Sequence, residues 1–280
     1  MKILIIIFVL LCGVYFFSYS KNLINIGEWI YVGKVPFNDP KIKPQGIVFI
    51  NSDEYLLSMH YNNKKTVIYL MDSNTNLIMN SFDMPIEASH SSGLTLKDNE
   101  LIVIDYNSNK LYILDLAASL TNSKAIVLNS FNTNIKGSSS CCFFEYENSK
   151  YLAVSDFMRT RYTYIIDYEK LITSNNYNNS IVIKYRNRGM SQGLVFKDGL
   201  IFESHNSILG NSIIDVIPFS RVLGEEKIKK CHIKTPLKGI EDLDFSGQYL
   251  WTTDEKKLDI YKFKLSIEKL KSTLGDIYAQ

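Results

Sequence analysis

Apolar and polar positions along the chain fall into a two-strand phrase that recurs five times. It reads QGIVFINSDEYLLSMHY from Gln45, SGLTLKDNELIVIDY from Ser92, SCCFFEYENSKYLAVSDF from Ser140, QGLVFKDGLIFESH from Gln192 and GIEDLDFSGQYLWTTDE from Gly239. Each copy is a short apolar run, a tight polar turn and a second apolar run, the pattern of two antiparallel strands joined by a hairpin. The second runs close on His60, Asp105, Asp156, His205 and Asp254, spaced 45 to 51 residues apart, which is the length of a propeller blade. A third apolar run follows each time: Thr66 to Met71, Lys110 to Leu116, Tyr162 to Tyr168, Ser212 to Ile217 and Leu258 to Phe263.

Fourth strands are predicted at Leu77 to Phe82, Ala125 to Ser130, Ser180 to Tyr185 and Lys227 to Ile233. The last unit runs out of chain before it can make its own. Glu28 to Pro36 is then expected to complete it, closing the ring and removing an open sheet edge. Runs such as Leu101-Ile102-Val103-Ile104 are apolar on both faces, so each sheet must be sandwiched between neighbours. The expected fold is all-β, a single five-bladed β-propeller over 21–266 with a C-terminal tail at 267–280 forming a short surface helix or frayed end. A sixth blade would have to fit between Lys21 and Gln45, which is too short a stretch.

The first twenty residues stand apart. Lys2 precedes an unbroken apolar run, Ile3 to Phe17, followed by Ser18-Tyr19-Ser20. This is the pattern of a signal peptide cleaved near Ser20, and a retained membrane anchor is the alternative. The run is shorter than the roughly 20 residues that span a bilayer. Export to the cell envelope or exterior follows from either, with membrane contact only through this segment if it stays uncleaved.

A formal net charge of +2 from 31 basic and 29 acidic residues gives no basic face for nucleic acid, and no nucleic-acid motif is present. Beyond Cys12, Cys141, Cys142 and Cys231 remain, an odd number with no metal-binding spacing, and are expected to be small buried thiols. A monomer is expected.

Repeat logic locates a site before chemistry does. In a propeller the innermost strand begins on the face where the second strand ends, so both sets of residues surround one mouth of the central channel. The first set contains Gln45, His90, Gln192, Glu241 and Asp242, and the second His60, Asp105, Asp156, His205 and Asp254. Three of the four histidines fall on this face, with only His232 elsewhere. Such a funnel would bind a small polar or cationic ligand or a peptide. A metal ion held by carboxylates and imidazoles is the lesser alternative, and no cofactor motif is present. The structural reading of the strand-end residues is that they cap hairpins by accepting backbone N–H bonds. Glu203 is singular: where the other blades carry Ser58, Val103, Val154 and Thr252, it sets a carboxylate in an apolar strand. Burial would raise its pKa toward the range useful for acid/base catalysis, or it pairs on the flank of a blade.

Ser191-Gln192-Gly193-Leu194 followed by Phe202-Glu203-Ser204 resembles the TQGL and YES phrases of the plant-type glutaminyl-peptide cyclotransferases, secreted five-bladed propellers. The resemblance implies a zinc-independent acyl transfer that forms N-terminal pyroglutamate, with Glu203 as proton shuttle and Gln192 at the channel mouth. It spans about fifteen residues, lies in the fourth blade where that family has it in the first, and leaves blade one with Ser58 in place of the glutamate. Pro44-Gln45-Gly46, His90-Ser91-Ser92-Gly93 and Glu203-Ser204 together are similar to uncharacterised exported bacterial propellers, which implies the fold alone. Three readings stand open: a ligand-binding propeller, a cyclotransferase-like enzyme and a protein-interaction scaffold.

Overall fold

The computed structural model describes residues 23–279 except 25, 26, 38, 40, 63, 64, 159, 208–210 and 225–227. The Ile3 to Phe17 segment lies outside the described residues. Five sheets carry the chain. Blade one is Ile42–Phe49, Glu54–Tyr61, Lys65–Asp72 and Ile78–Asp83, and blade two is Ser91–Lys97, Glu100–Asp105, Lys110–Asp115 and Val127–Asn132. Blade three is Ser138–Tyr146, Ser149–Asp156, Tyr162–Asp167 and Ile181–Arg186, and blade four is Ser191–Lys197, Leu200–His205, Ile213–Pro218 and Cys231–Lys234. Blade five is Ile240–Ser246, Tyr249–Asp254 and Asp259–Leu265, completed by Gly27–Lys34 pairing antiparallel with its third strand. The closure expected from Glu28 to Pro36 is therefore present, and each inner strand touches the inner strands of both neighbouring blades around a ring.

The seams explain the doubly apolar strands. Side chains from facing blades form five separate cores, one per seam, such as Leu56, Ile68 and Phe82 of blade one against Leu94, Leu101 and Val103 of blade two. Full burial of a leucine or phenylalanine contributes roughly 1.5–3 kcal/mol, so a blade without neighbours would forfeit both of its faces. Inner strands approach closely because glycine sits at the narrowest points. A Cβ on Gly93 would lie 2.7 Å from Ser140 Cα, and one on Gly193 would lie 2.7 Å from Leu243 N.

Three features go beyond the repeat pattern. Short helices Leu116–Asn122 and Tyr168–Ser174 follow the third strands of blades two and three, their N-caps Asp115 and Asp167 accepting from Ala118 N and Lys170 N, both at 2.9 Å. Leu23–Ile24 adds a fifth, parallel strand outside Cys231–Lys234. The tail forms helix Ile267–Ala279 and is docked: Leu270 and Leu274 are buried in the blade four–five core, and Tyr278 Oη donates to Lys229 O at 2.5 Å. Cys141, Cys142 and Cys231 are free and buried.

Candidate functional site

The channel is closed near its axis by one of the expected mouth residues. Asp242 occupies the place in blade five that Gly93 and Gly193 hold in blades two and four. Its side chain reaches across the ring, where Oδ2 accepts from Leu94 N of blade two at 2.9 Å, and Ile47 N of blade one also donates to this carboxyl. Burial pushes its pKa well above the usual carboxylate range, against the pull of those backbone donors. Asp242 is thus the floor of the funnel and a tie between blades.

The strand-end aspartates are occupied with turns. Asp105 accepts from His90 N at 2.6 Å and Ser108 N at 2.7 Å, Asp156 from Thr160 N at 2.6 Å, and Asp254 from Lys256 N at 2.9 Å. All three are fully buried, and the capping reading describes them. What they leave at the mouth is two arms of side chains, half-buried apart from the buried Glu241.

The first arm is aromatic. His60 and His90 stack with ring centroids 4.5 Å apart, His90 lies 5.3 Å from Tyr106, and Tyr106 lies 6.2 Å from Phe157, so the arc passes from blade one through blade two to blade three. His60 Nδ1 donates to Ser89 O at 2.7 Å, and His90 Nε2 donates to Gln45 Oε1 at 2.7 Å. Burial, reinforced by His60, pushes the His90 pKa down to about 4, so this ring is neutral at neutral pH. The second arm is acidic. Gln192 Nε2 donates to Glu241 Oε1 at 3.1 Å, and burial together with Glu255, Asp242 and Asp254 pushes Glu241 well above the usual range. Blade one joins the arms: Gln45 holds His90, while Lys43 Nζ reaches Glu255 O at 3.4 Å.

Glu203 and His205 lie elsewhere, inside the seam between blades three and four. Glu203 is fully buried on the flank of its blade, with Oε1 accepting from Thr163 Oγ1 at 2.7 Å and Ser191 Oγ at 2.9 Å, and Oε2 from Tyr185 Oη at 3.2 Å. His205, placed at the mouth by repeat logic, is buried beside it: Nδ1 donates to Gly189 O at 3.2 Å, and Nε2 stands 3.8 Å from Glu203 Oε2 and 3.6 Å from Asp215 Oδ2. Burial holds its pKa below the ordinary histidine value against the attraction of both carboxylates. Glu203, Asp215 and His232 sit directly opposite one another on successive strands, which aims all three at blade three. Asp215 Oδ1 accepts from Arg188 Nε and His232 Nδ1, each at 2.8 Å, and Lys230 Nζ stands 3.3 Å from Oδ2.

The sequence argument missed Tyr106, Phe157 and Glu255, each the residue after a strand-end aspartate, and it missed the seam group of Asp215, His232, Arg188 and Lys230. Asp215 interrupts Ile213–Pro218 as Glu203 interrupts Leu200–His205, a signal readable beforehand. Among the described residues no group of three or more His, Cys, Asp and Glu is arranged to hold a metal ion. A hollow of about 650 Å³ lies on the opposite, turn-bearing face, lined by Lys197, Phe245, Lys264 and Glu268 among others.

No protein-family model and no curated protein sequence matches the chain. Among solved structures its fold is similar to that of Myxococcus xanthus glutaminyl cyclase, with a TM-score of 0.59 and 10% identity over 88% of this chain and 97% of that one. Hydrazine synthase of Kuenenia stuttgartiensis gives a TM-score of 0.47 at 11% identity, covering 78% of this chain and 56% of that one. A Bacteroides caccae protein of unknown function also gives 0.47, at 10% identity over 70% and 68%. At such identity the likeness to the cyclase establishes the architecture, a five-bladed β-propeller of the kind that cyclase adopts.

Proposed function

We propose that this is an exported propeller that binds a small ligand or a peptide at the mouth of its channel. The observation that carries the reading is the arc His60, His90, Tyr106 and Phe157, four half-buried rings contributed by three blades at the same end of the channel as the Gln192–Glu241 pair. Aromatic faces with a few convergent polar groups are the usual makeup of a small-molecule site, and no core needs these rings. Export rests on the Ile3 to Phe17 pattern; among the described residues no helix is long and apolar enough to cross a membrane. Glutaminyl cyclisation at Glu203 has the motif and the shared architecture in its favour, but it requires the carboxyl group to meet substrate, and Glu203 is sealed in a seam behind three hydroxyl groups.

The test is a calorimetric titration of short peptides with free and blocked N-termini into wild type and a His90→Ala variant, with ammonia assayed in parallel for a peptide beginning with glutamine. At least tenfold weaker binding to His90→Ala at unchanged melting temperature is expected. Binding that ignores this variant would overturn the proposal, as would ammonia release abolished by Glu203→Gln, which would establish the enzyme instead.

A further inference from the structure

Glu241 is buried, yet it lies at the funnel end of blade five with the acids Asp242, Asp254 and Glu255 around it. Its side chain accepts from the neutral amide of Gln192, at 3.1 Å, and shares a hydrogen bond with the Glu255 carboxyl group, and no cation is described on it. Asp254 Oδ1 is taken up by the turn, but Oδ2 is buried and has no hydrogen-bond partner. A buried carboxyl oxygen left without a donor is destabilising, and here it borders a second carboxyl group that also lacks a cation. The positive groups around the cluster do not answer it: Lys43 Nζ is placed on the Glu255 carbonyl oxygen at 3.4 Å, and Lys256 and Lys257 are exposed. Gln192 and Glu255 are half-buried and form the solvent side of this corner, so the Gln192 N–H stands where an incoming donor would approach Glu241.

We propose that this corner receives the ammonium group of a primary amine, held by Glu241, Glu255 and Asp254, while the apolar remainder of the ligand lies along the His60–His90–Tyr106–Phe157 arc. The inference rests on the channel mouth being the binding site and specifies the class of ligand. A compact cation with three N–H donors matches three inward acceptors where a neutral amide supplies one. His90, facing the same mouth from blade two, is uncharged at neutral pH and so does not repel a cation there. Burial and the surrounding acids hold the Glu241 pKa well above the usual carboxylate range, and an ammonium group beside it would draw it down, so binding is expected to release a proton and to strengthen as pH rises.

The probes are phenethylamine and its N-acetyl derivative, titrated calorimetrically into the full chain and a Glu241→Gln variant in two buffers of different ionisation enthalpy. The amine is expected to bind wild type at least tenfold more tightly than the acetylated probe, with release of a proton. In Glu241→Gln the preference and the proton release are both expected to disappear, while the acetylated probe binds as it does to wild type. Equal binding of the two probes to wild type would overturn the ammonium assignment and leave the mouth as a site for uncharged ligands. Absence of binding by either would overturn both.

Discussion

Replacing Asp215 by asparagine should destabilise the protein far more than replacing Glu203 by glutamine, although both are fully buried carboxylates on adjacent strands of one seam. Asp215 is surrounded by donors: the cations Arg188, with Nε at 2.8 and 3.0 Å from its two oxygens, and Lys230, with Nζ at 3.3 Å, together with His232 Nδ1 at 2.8 Å. Burial alone would raise its pKa, but Lys230, the His232 hydrogen bond, His205 and Arg188 together hold it well below the usual carboxylate range. Charge-assisted hydrogen bonds contribute about 1.5–3 kcal/mol each, and stripping the counter-charge from a buried pair costs about 3–5 kcal/mol. The Arg188 and Lys230 side chains keep 28% and 16% of their exposure and regain some hydration, which brings the expected loss for Asp215→Asn to about 2–4 kcal/mol.

Glu203 has only neutral hydroxyl donors within hydrogen-bonding distance. A glutamine retains an acceptor for Thr163 and Ser191 and turns its amide toward Tyr185 Oη, so Glu203→Gln should change stability by less than about 1 kcal/mol. The assay is equilibrium urea unfolding at pH 7 and at pH 3. A carboxylate with a depressed folded pKa adds stability above its unfolded value near 4 and loses it as pH falls further, so the gap between wild type and Asp215→Asn should narrow at pH 3. A loss below about 1 kcal/mol at pH 7, or one independent of pH, would refute the reasoning.

Three further outcomes follow from the same coordinates. Gly193→Ala places a Cβ 2.7 Å from Leu243 N and 2.8 Å from Asp242 C and Cα, all backbone atoms; a loss of about 1–3 kcal/mol is expected in urea unfolding. Gly275→Ala, inside helix Ile267–Ala279 with no atom within 4 Å of the new Cβ, should stabilise by about 0.5–1 kcal/mol. Asp244, whose Oδ2 accepts from Phe49 N at 2.6 Å, has a pKa raised to about 7 mainly by burial. The folded state holds that proton above the unfolded pKa, so its stabilising contribution fades as pH climbs from about 4 through 7. Asp244→Asn should match wild type below about pH 4 and exceed it by about 1–2 kcal/mol at pH 8, the full shift being discounted because the residue is partly exposed.

The repeat made the blades legible. Apolar alternation with a polar turn at a fixed period located all five inner hairpins, and the shortage of chain after Phe263 pointed to Glu28 to Pro36 as the closing strand, which the structure sets at Gly27–Lys34. Periodicity says nothing about departures from the period. The helices after the third strands of blades two and three were announced locally, by Asp115 and Asp167 as N-caps, but runs this short are outweighed by the surrounding strands. Pseudo-symmetry put His205 at the mouth because His60 occupies the same place in blade one. Glu203 and Asp215 as neighbours draw it into the seam instead. Asp242 replaced a glycine of the repeat, and in a channel this narrow its side chain meets the opposite inner strands and is consumed by them. Cross-strand rows such as Glu203–Asp215–His232 join residues far apart in sequence, and one strand read alone does not reveal its neighbour.

The four histidines allow the central claim to be tested in one experiment, because two lie at the mouth and two in the seam. Their ring C–H signals, assigned by single substitutions, would be followed by NMR as phenethylamine is added. A ligand at the channel mouth must shift His60 and His90 and leave His205 and His232 in place. Shifts confined to His205 and His232 would put the site in the seam with Glu203, and four unmoved signals under saturating amine would contradict the account altogether.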